Sequence, residues 1–383
     1  MVNRMILNET SYFGKGSIGK IVAEVKNRGF KKALIVTDKD LIKFNVATKV
    51  MDLLDQNHNE YEVFDGIIPN PTLEVVREGL AAYKKANADY ILAIGGGSSI
   101  DTAKAIGIII TNPEHEDIVS LEGEPGTKNP SAPILAVPTT SGTAAEVTIN
   151  YVITDKEHNR KFVCVDQHDI PIASFVDSDL MMGMPKSLCA ATGMDALTHA
   201  IEGYITKGAW ALTDMMHLKA IEIISHSLRA SVRGDQSGRE AMALGQYIAG
   251  MGFSNVGLGL VHGMAHPLSA WYNVPHGVAC ASLLPTIMEY NKAFTGEKYR
   301  DIARVMGVKN ADSLSLDAVR DAAIAAVKQL GKDVGIPQNI TELGVKKEDL
   351  PSIAKDARAD VCTGGNPRDT NREEIIELYQ SLL

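Results

Sequence analysis

The first half of this chain alternates short apolar, β-branched runs with helical segments, and that alternation restricts the fold more than any other feature. The runs at residues 33–37 (ALIVT), 90–94 (YILAI) and 134–137 (ILAV) predict buried strands. Between the first two, residues 72–88 carry apolar side chains at helical spacing after an Asn-Pro-Thr entry. Strand–helix alternation predicts a parallel sheet covered by helices on both faces.

The pattern changes near Gly183-Met184-Pro185, where proline disfavours helical geometry in the residue before it. Beyond this point the strand runs give way to long Ala/Met-rich or amphipathic segments, such as 209–228, 239–252 and 316–330. A length of 383 residues suits two domains. We therefore predict a Rossmann-like α/β nucleotide-binding domain over residues 1–184 and an all-helical, metal-binding domain over 185–383.

Composition excludes several functional classes. The net charge of −9 and the lack of a Lys/Arg run argue against nucleic-acid binding, which needs a cationic patch. No secretory leader is recognisable, and every apolar stretch is shorter than the ~20 residues that a membrane span needs. The four cysteines are scattered without a CxxC pair, which favours reduced thiols over disulfides or a thiolate metal site. We expect a cytoplasmic protein with no membrane or nucleic-acid partner.

A glycine triplet and a hydroxyl-rich loop each follow a predicted strand. Gly95-Gly96-Gly97-Ser98-Ser99 precedes a helix that we expect to begin at about Ile100, and residues 138–143 (PTTSGT) follow the strand at 134–137. Glycines let a backbone approach an anion closely, and the helix N-terminus attracts it. Either segment could instead be a simple connecting turn. Together they predict a pyrophosphate and ribose site at one edge of the sheet.

Asp38 follows the strand at 33–37 and could accept hydrogen bonds from an adenosine ribose, repelling the 2′-phosphate of NADP. It could equally cap a helix. In the usual dinucleotide fingerprint the acid follows the glycines by ~20 residues, whereas Asp38 precedes Gly95 by 57. The chain therefore does not follow the standard Rossmann order of glycines and acid, although the same residue types could still bind a nucleotide.

The second half holds a candidate metal site. Asp195 and His199 are four residues apart, as are His262 and His266, and such spacing places side chains on one helix face. His276 adds a further imidazole. Each histidine could instead be a satisfied core residue, and Asp195 could cap a helix entering from Thr192. Three of these four imidazoles and the carboxylate, with an open position, would form a catalytic arrangement, and a site without cysteine suits Fe²⁺ or Zn²⁺.

Four of these stretches carry a family resemblance: the glycine triplet with Ser98, residues 138–143, residues 190–202 (AATGMDALTHAIE) and residues 257–268 (GLGLVHGMAHPL). The chain resembles the iron-containing (type III) alcohol dehydrogenase family. Residues 3–10 and 360–368 extend the likeness nearly end to end, towards those members that interconvert lactaldehyde and 1,2-propanediol.

The resemblance implies an N-terminal nucleotide-binding domain, a C-terminal helical domain, an active site in the cleft between them, and a homodimer. It also implies that Asp195, His199, His262 and His276 bind Fe²⁺, while His266 lies off the metal near the nicotinamide. A proton must reach or leave the buried oxygen of the substrate, and we expect His266 to relay it. The residues that it implies for NAD binding are Asp38, Asn70, Gly97, Ser98, Thr139, Thr140, Thr143, Asn150 and Lys161. Relatives often carry proline and a polar residue where this chain has Ser99-Ile100, which matters little because backbone amides act there.

We therefore expect reversible hydride transfer between NAD and a short hydroxyaldehyde–diol pair, lactaldehyde and 1,2-propanediol. Our hypothesis for the substrate pocket is that Phe253, Leu258 and Cys362 wall a short space, with Asn150 bonding the second hydroxyl. The alternative within the family is a Zn²⁺-dependent glycerol, polyol or other short-chain alcohol dehydrogenase. A dehydroquinate synthase-like lyase would need a Lys/Arg cluster beside the histidines, which is not evident, and a metal- or nucleotide-sensing protein would turn over no NADH.

Overall fold

The structure is a computed structural model that describes residues 2–383. The chain divides into two compact units. The first comprises Met1–His158 and Phe162–Met184, and the second Asn159–Lys161 and Pro185–Leu383. Within the described residues, no helix is both long and apolar enough to cross a membrane.

The first unit is built on a six-stranded parallel sheet. The strands of this sheet are β1 Thr10–Phe13, β2 Lys32–Val36, β3 Glu60–Phe64, β4 Tyr90–Gly95, β5 Ile134–Pro138 and β8 Ala173–Val176. A separate two-stranded sheet consists of β6 Asn150–Asp155 and β7 Arg160–Val165. The order across the large sheet is β1-β8-β5-β4-β2-β3, and every pairing in it is parallel. The parallel α/β prediction is confirmed, whereas the two-stranded sheet β6-β7 was not predicted.

Helices cover both faces of this sheet. They are α1 Ile21–Arg28, α2 Lys39–Lys43, α3 Thr48–Gln56, α4 Leu73–Ala86 and α5 Gly97–Thr111. Alternate residues of β4 enter different cores: Ile91 and Ala93 pack into one apolar cluster, and Leu92 and Ile94 into the other. Full burial on both faces explains why the strand sequence is continuously apolar.

Helix α4 lies almost where its periodicity predicted it, with the Thr72 side chain capping it through the Val75 N–H group. Helix α5 differs from the prediction because it begins at Gly97 and not at about Ile100. Gly96 is its extended N-cap, so Ser98 and Ser99 form part of the first turn. In a first turn the N–H groups have no partner within the helix, so polar residues and glycine are tolerated there.

The second unit is helical from Pro185 onward in the described residues. Its helices are α6 Lys186–Ile205, α7 Ala211–Arg233, α8 Gln236–Val256, α9 Leu260–Tyr272, α10 His276–Asn291, α11 Lys298–Val305, α12 Leu316–Asp333, α13 Leu350–Ala359 and α14 Arg372–Gln380. One continuous apolar core joins them, and sixteen residues of α6 are buried. The prediction of a helical second half is confirmed.

Candidate active site

The carboxyl ends of three neighbouring strands carry six of the nine residues predicted to bind a dinucleotide. Gly95 at the end of β4 lies opposite Pro138 at the end of β5, and β2 pairs with β4 on the other side. The connection after β2 leads to β3 on one side of β2, and the connection after β3 crosses back to β4 on the other side of β2. Open α/β sheets bind ligands where the connections diverge in this way. This edge is therefore the candidate cofactor site.

The glycine turn and the hydroxyl-rich loop pack against each other at this edge. A Cβ atom at Gly97 would lie 2.9 Å from the Thr143 side chain, and one at Gly96 would lie 3.2 Å from the Thr140 hydroxyl. Thr139 is buried, and its N–H group donates to the carbonyl of Gly95 at 2.9 Å. Any larger residue at position 97 would displace Thr143, so glycine keeps the N-terminus of α5 open to an anion.

Asp38 caps helix α2, since its Oδ1 accepts a hydrogen bond from the Leu41 N–H group at 2.8 Å. The alternative of a helix cap is thus realised, and it does not exclude a ribose contact because a carboxylate offers several acceptor sites.

Three further residues were implied for the cofactor by resemblance. Asn70 adopts a left-handed φ of 54° just before α4. Asn150 opens β6, and its carbonyl accepts a hydrogen bond of 2.8 Å from the buried ammonium of Lys104. Lys161 groups with the helical unit. The cofactor roles of these residues stay predictions.

Three helices of the second unit carry the predicted metal ligands. The donor atoms of Asp195, His262 and His276 lie within 4.8 Å of one another and of the Cys280 sulfur, whereas His199 lies outside that group. Asp195 and His199 lie on α6, His262 on α9, and His276 on the first turn of α10. Asp195 lies in the middle of α6, so it does not cap a helix entering from Thr192. The helix begins ten residues earlier than that alternative required, with Pro185 as its N-cap.

Two of the imidazoles approach Oδ1 of Asp195. Nε2 of His276 lies 3.7 Å from it, and Nε2 of His262 lies 3.8 Å from it. Nδ1 of His199 lies 3.9 Å from the other carboxylate oxygen, and the His199 ring stacks on His262 with 4.5 Å between centroids. Two ligands bound at about 2.1 Å to one tetrahedral ion lie about 3.4 Å apart. These separations fit donors arranged around a cation.

Electrostatics favour the same conclusion. Burial raises the pKa of Asp195 and lowers the pKa of His262 to about 3, while burial and then the charge of Lys161 lower the pKa of His276. Oδ1 of Asp195 and Nε2 of His262 are buried without a hydrogen-bond partner among the described residues. Neutral imidazoles and an unpartnered carboxylate oxygen form a donor set for a divalent cation, which would remove the cost of leaving these atoms unpaired.

Sequence reasoning missed three residues next to this cluster. Cys280 follows His276 by one helical turn, and its Sγ lies 3.6 Å from Nε2 of that histidine. Glu202 lies one turn beyond His199 and contacts His262. Asp360 contacts His266. Helical spacing could have indicated the first two, whereas Asp360 is far away in the sequence and no local pattern relates it to His266.

His266 lies off the main cluster and forms a pair with Asp360. Its Nδ1 lies 2.7 Å from Oδ2 of Asp360, and its ring stacks on His276 at 5.2 Å. Cys362 completes this second group, and its N–H group donates to Oδ1 of Asp360 at 2.8 Å. Since burial raises the pKa of Cys362 well above its usual value, the thiol is neutral and a poor nucleophile.

The predicted pocket residues of this unit lie beside the histidines to different degrees. Phe253 is buried and stacks on His199 with 4.3 Å between ring centroids. Cys362 is half-buried beside His266. Leu258 is buried, and its carbonyl accepts a hydrogen bond from Thr206. Their contact with substrate stays a prediction.

Known proteins match the chain over nearly its whole length. The family model for iron-containing alcohol dehydrogenase matches residues 8–178, and that for the C-terminal part of the Fe-containing alcohol dehydrogenase family matches residues 189–383. The chain is 63% identical over 381 residues to the lactaldehyde reductase of Escherichia coli (strain K12), covering 100% of both chains. It is 43% identical to the 1,3-propanediol dehydrogenase of Citrobacter freundii, covering 98% of this chain and 97% of that one.

A solved structure agrees with these matches. A 1,3-propanediol oxidoreductase superposes with a TM-score of 0.96 at 42% identity, covering 100% of both chains. This chain belongs to the iron-containing alcohol dehydrogenase family.

Proposed function

We propose that this chain is an NAD-dependent, iron-dependent oxidoreductase that interconverts lactaldehyde and 1,2-propanediol. The observation that carries the proposal is the convergence of His262 and His276 on the unpartnered Oδ1 of Asp195. The full-length relative at 63% identity is named lactaldehyde reductase, which supports this substrate pair.

Asp195, His199, His262 and His276 would hold the cation. A divalent ion held there supplies Lewis acidity to a carbonyl oxygen, and reduced nicotinamide supplies the hydride. The protein's own contribution is to fix the donors on three helices in a buried core, with α6 supplying two of the four. The Phe253 ring stacks on His199 and would cover one face of that imidazole.

His266 and Asp360 would move the proton that reduction of an aldehyde requires. With Asp360 accepting from Nδ1 at 2.7 Å, the ring keeps a proton on that nitrogen and exchanges the second one at Nε2. Imidazole is suited to this task because each of its ring nitrogens can donate or accept a proton.

The geometry also favours a second candidate, a Zn²⁺ enzyme for a terminal diol such as 1,3-propanediol. The buried Cys280 sulfur beside His276 would suit a thiophilic ion. The relative at 43% identity and the superposed structure are both named for 1,3-propanediol.

We also propose a cytoplasmic homodimer. All four cysteines are free in the structure, as expected for a reducing compartment. Light scattering after size-exclusion chromatography tests the dimer, and cell fractionation tests the location.

A substrate and cofactor panel tests the proposed activity. With Fe²⁺-loaded protein and NADH, we expect kcat/KM for lactaldehyde to exceed that for 3-hydroxypropanal and for an aromatic aldehyde by about 10- to 200-fold. NADPH should be a poor hydride donor. Asp38→Gly should narrow the preference for NADH over NADPH, because the 2′-phosphate of NADPH is no longer repelled. Preference for 3-hydroxypropanal would favour the second candidate, and lack of turnover with every aldehyde would contradict the proposal.

A further inference from the structure

Glu202 contacts a proposed metal ligand on the side away from the cation site. Its Oε2 lies 2.6 Å from Nδ1 of His262, while Nε2 of the same ring lies 3.8 Å from Oδ1 of Asp195. Glu202 and His262 are each almost fully buried. One imidazole therefore has the carboxylate of Glu202 at one nitrogen and the cation site at the other.

The same carboxylate binds the start of helix α9. Oε1 accepts a hydrogen bond of 2.6 Å from the Val261 N–H group, and Oε2 accepts one of 3.4 Å from the His262 N–H group. With a backbone donor on each oxygen at a helix N-terminus, the carboxyl group is arranged as an acceptor.

Gly259 makes the approach of this carboxylate possible. It is the N-cap of α9, and a Cβ atom at this position would lie 2.9 Å from Oε1 of Glu202. Its φ of −154° is open to any residue, so the space taken by the carboxylate, and not backbone strain, is what requires glycine here.

We propose that Glu202 is a positioning residue that holds His262 as its Nδ1–H tautomer, so that the Nε2 lone pair points to the cation. The inference rests on the proposed function, because it assumes that His262 is a ligand. A histidine that ligates through one nitrogen needs its proton on the other, and an acceptor at that nitrogen fixes both the tautomer and the ring plane.

Glu202→Gln tests this with little change of shape. If the new amide faces His262, it donates to Nδ1 and the ring proton moves to Nε2, where it blocks binding. If the amide faces Val261, its N–H groups point at the Val261 N–H group, which now lies 2.6 Å from Oε1 of Glu202, and two donors then repel each other. Either orientation should weaken metal binding, and loss of such a partner typically lowers affinity about 10- to 100-fold.

The matched control perturbs the same helix start without touching the ring. Asn366 also accepts from the first turn of α9, through Oδ1 to the Leu260 N–H group at 3.3 Å. Asn366→Ala should therefore lower the melting temperature but leave the metal affinity unchanged. Gly259→Ala is an independent variant that keeps the carboxylate but pushes it away, and it should weaken metal binding in the same direction as Glu202→Gln.

The measurement is the Co²⁺ dissociation constant of full-length apoprotein, obtained by chelator competition, with the visible bands of bound Co²⁺ reporting its ligands. Affinity that falls in Glu202→Gln and Gly259→Ala but not in Asn366→Ala supports the proposal. Wild-type affinity in folded Glu202→Gln, or an equal loss in Asn366→Ala, overturns it. Wild-type protein that binds no Co²⁺ overturns the proposed metal site itself, so the two failures are distinguishable.

Discussion

The chemistry of single residues here depends on one or two partners that position them. His266 and His262 have the same side chain on one helix, yet one ring pairs with Asp360 and the other with Glu202. The partner determines which nitrogen is available, and therefore whether a ring is suited to move a proton or to bind a cation.

We predict that His266→Ala lowers kcat about 10²- to 10⁴-fold, the usual contribution of general acid–base catalysis, while the bound metal is retained. Asp360→Asn should give a smaller loss and shift the pH profile of kcat/KM, because the partner that holds the Nδ1 proton is changed. Steady-state pH profiles paired with metal analysis test this. Loss of metal from His266→Ala would instead make His266 a ligand.

A second residue-scale prediction concerns His217 on α7, whose ring fills the space left by two glycines. A Cβ atom at either Gly203 or Gly252 would lie 2.3 Å from its Nε2. Burial lowers the pKa of His217 from 6.5 to about 3. Between these values the unfolded chain binds the proton and the folded protein does not, so this contribution to stability is complete above pH 6.5 and is lost as the pH falls towards 3.

In metal-free protein, His217→Leu should reduce the slope of unfolding free energy against pH by about 1.4 kcal/mol per unit in this window. Urea unfolding at several acidic pH values measures the slope. His226→Leu is the matched control because its ring is exposed on the same helix. An unchanged slope in folded His217→Leu would mean that the buried ring takes up its proton without unfolding.

At the scale of elements, α6 supplies Asp195, His199 and Glu202 at positions that share one face, and α9 and α10 bring their histidines to it. The approach of α10 depends on Gly277. A Cβ atom there would lie 2.4 Å from the carbonyl oxygen of Ala191 and 3.3 Å from Cβ of Asp195.

We predict that Gly277→Ala moves the start of α10, and with it His276, away from α6. The cost should be about 1–3 kcal/mol of stability, as for other overpacked sites, together with weaker metal binding. Gly331→Ala on α12 is the control, since its Cβ would meet only ordinary contacts starting at 3.7 Å. It should be neutral or stabilising by up to about 1 kcal/mol because alanine favours helix. Calorimetry and Co²⁺ titration measure both effects, and equal metal affinity in the two variants would contradict this account.

Local periodicity predicted the elements whose burial is regular along the chain. Strands β2, β4 and β5 and helix α4 are examples, since continuous or helically spaced apolar residues determine them. The pair β6-β7 was missed because Arg160 and Lys161 open β7 with polar residues. The start of α5 was placed too late because a glycine triplet carries no helix signal, although its last member begins the helix.

The same limit applies to the site. Spacing of four indicated that Asp195 and His199 share a face, and that His262 and His266 do. No spacing rule predicts that His276 approaches Asp195, because close contact between α10 and α6 depends on tertiary packing at Gly277. Asp360 reaches His266 across 94 positions of sequence, which is likewise decided only by the fold.

At the scale of the whole molecule, the two units carry different parts of the proposed chemistry. The sheet of the first presents a glycine turn at the divergence of its connections, and the helical core of the second presents the histidine cluster. The central claim is that the cluster around Asp195 holds a divalent cation required for reduction of lactaldehyde by NADH.

The most direct test is removal and restoration of the metal under anaerobic conditions. Apoprotein prepared with a chelator should be folded and inactive, and Fe²⁺ should restore NADH-dependent reduction of lactaldehyde at about one ion per chain. His276→Ala should not bind stoichiometric metal and should not recover turnover when Fe²⁺ is added. It should still bind NADH. Full turnover by metal-free wild type, or by metal-free His276→Ala, would contradict the account.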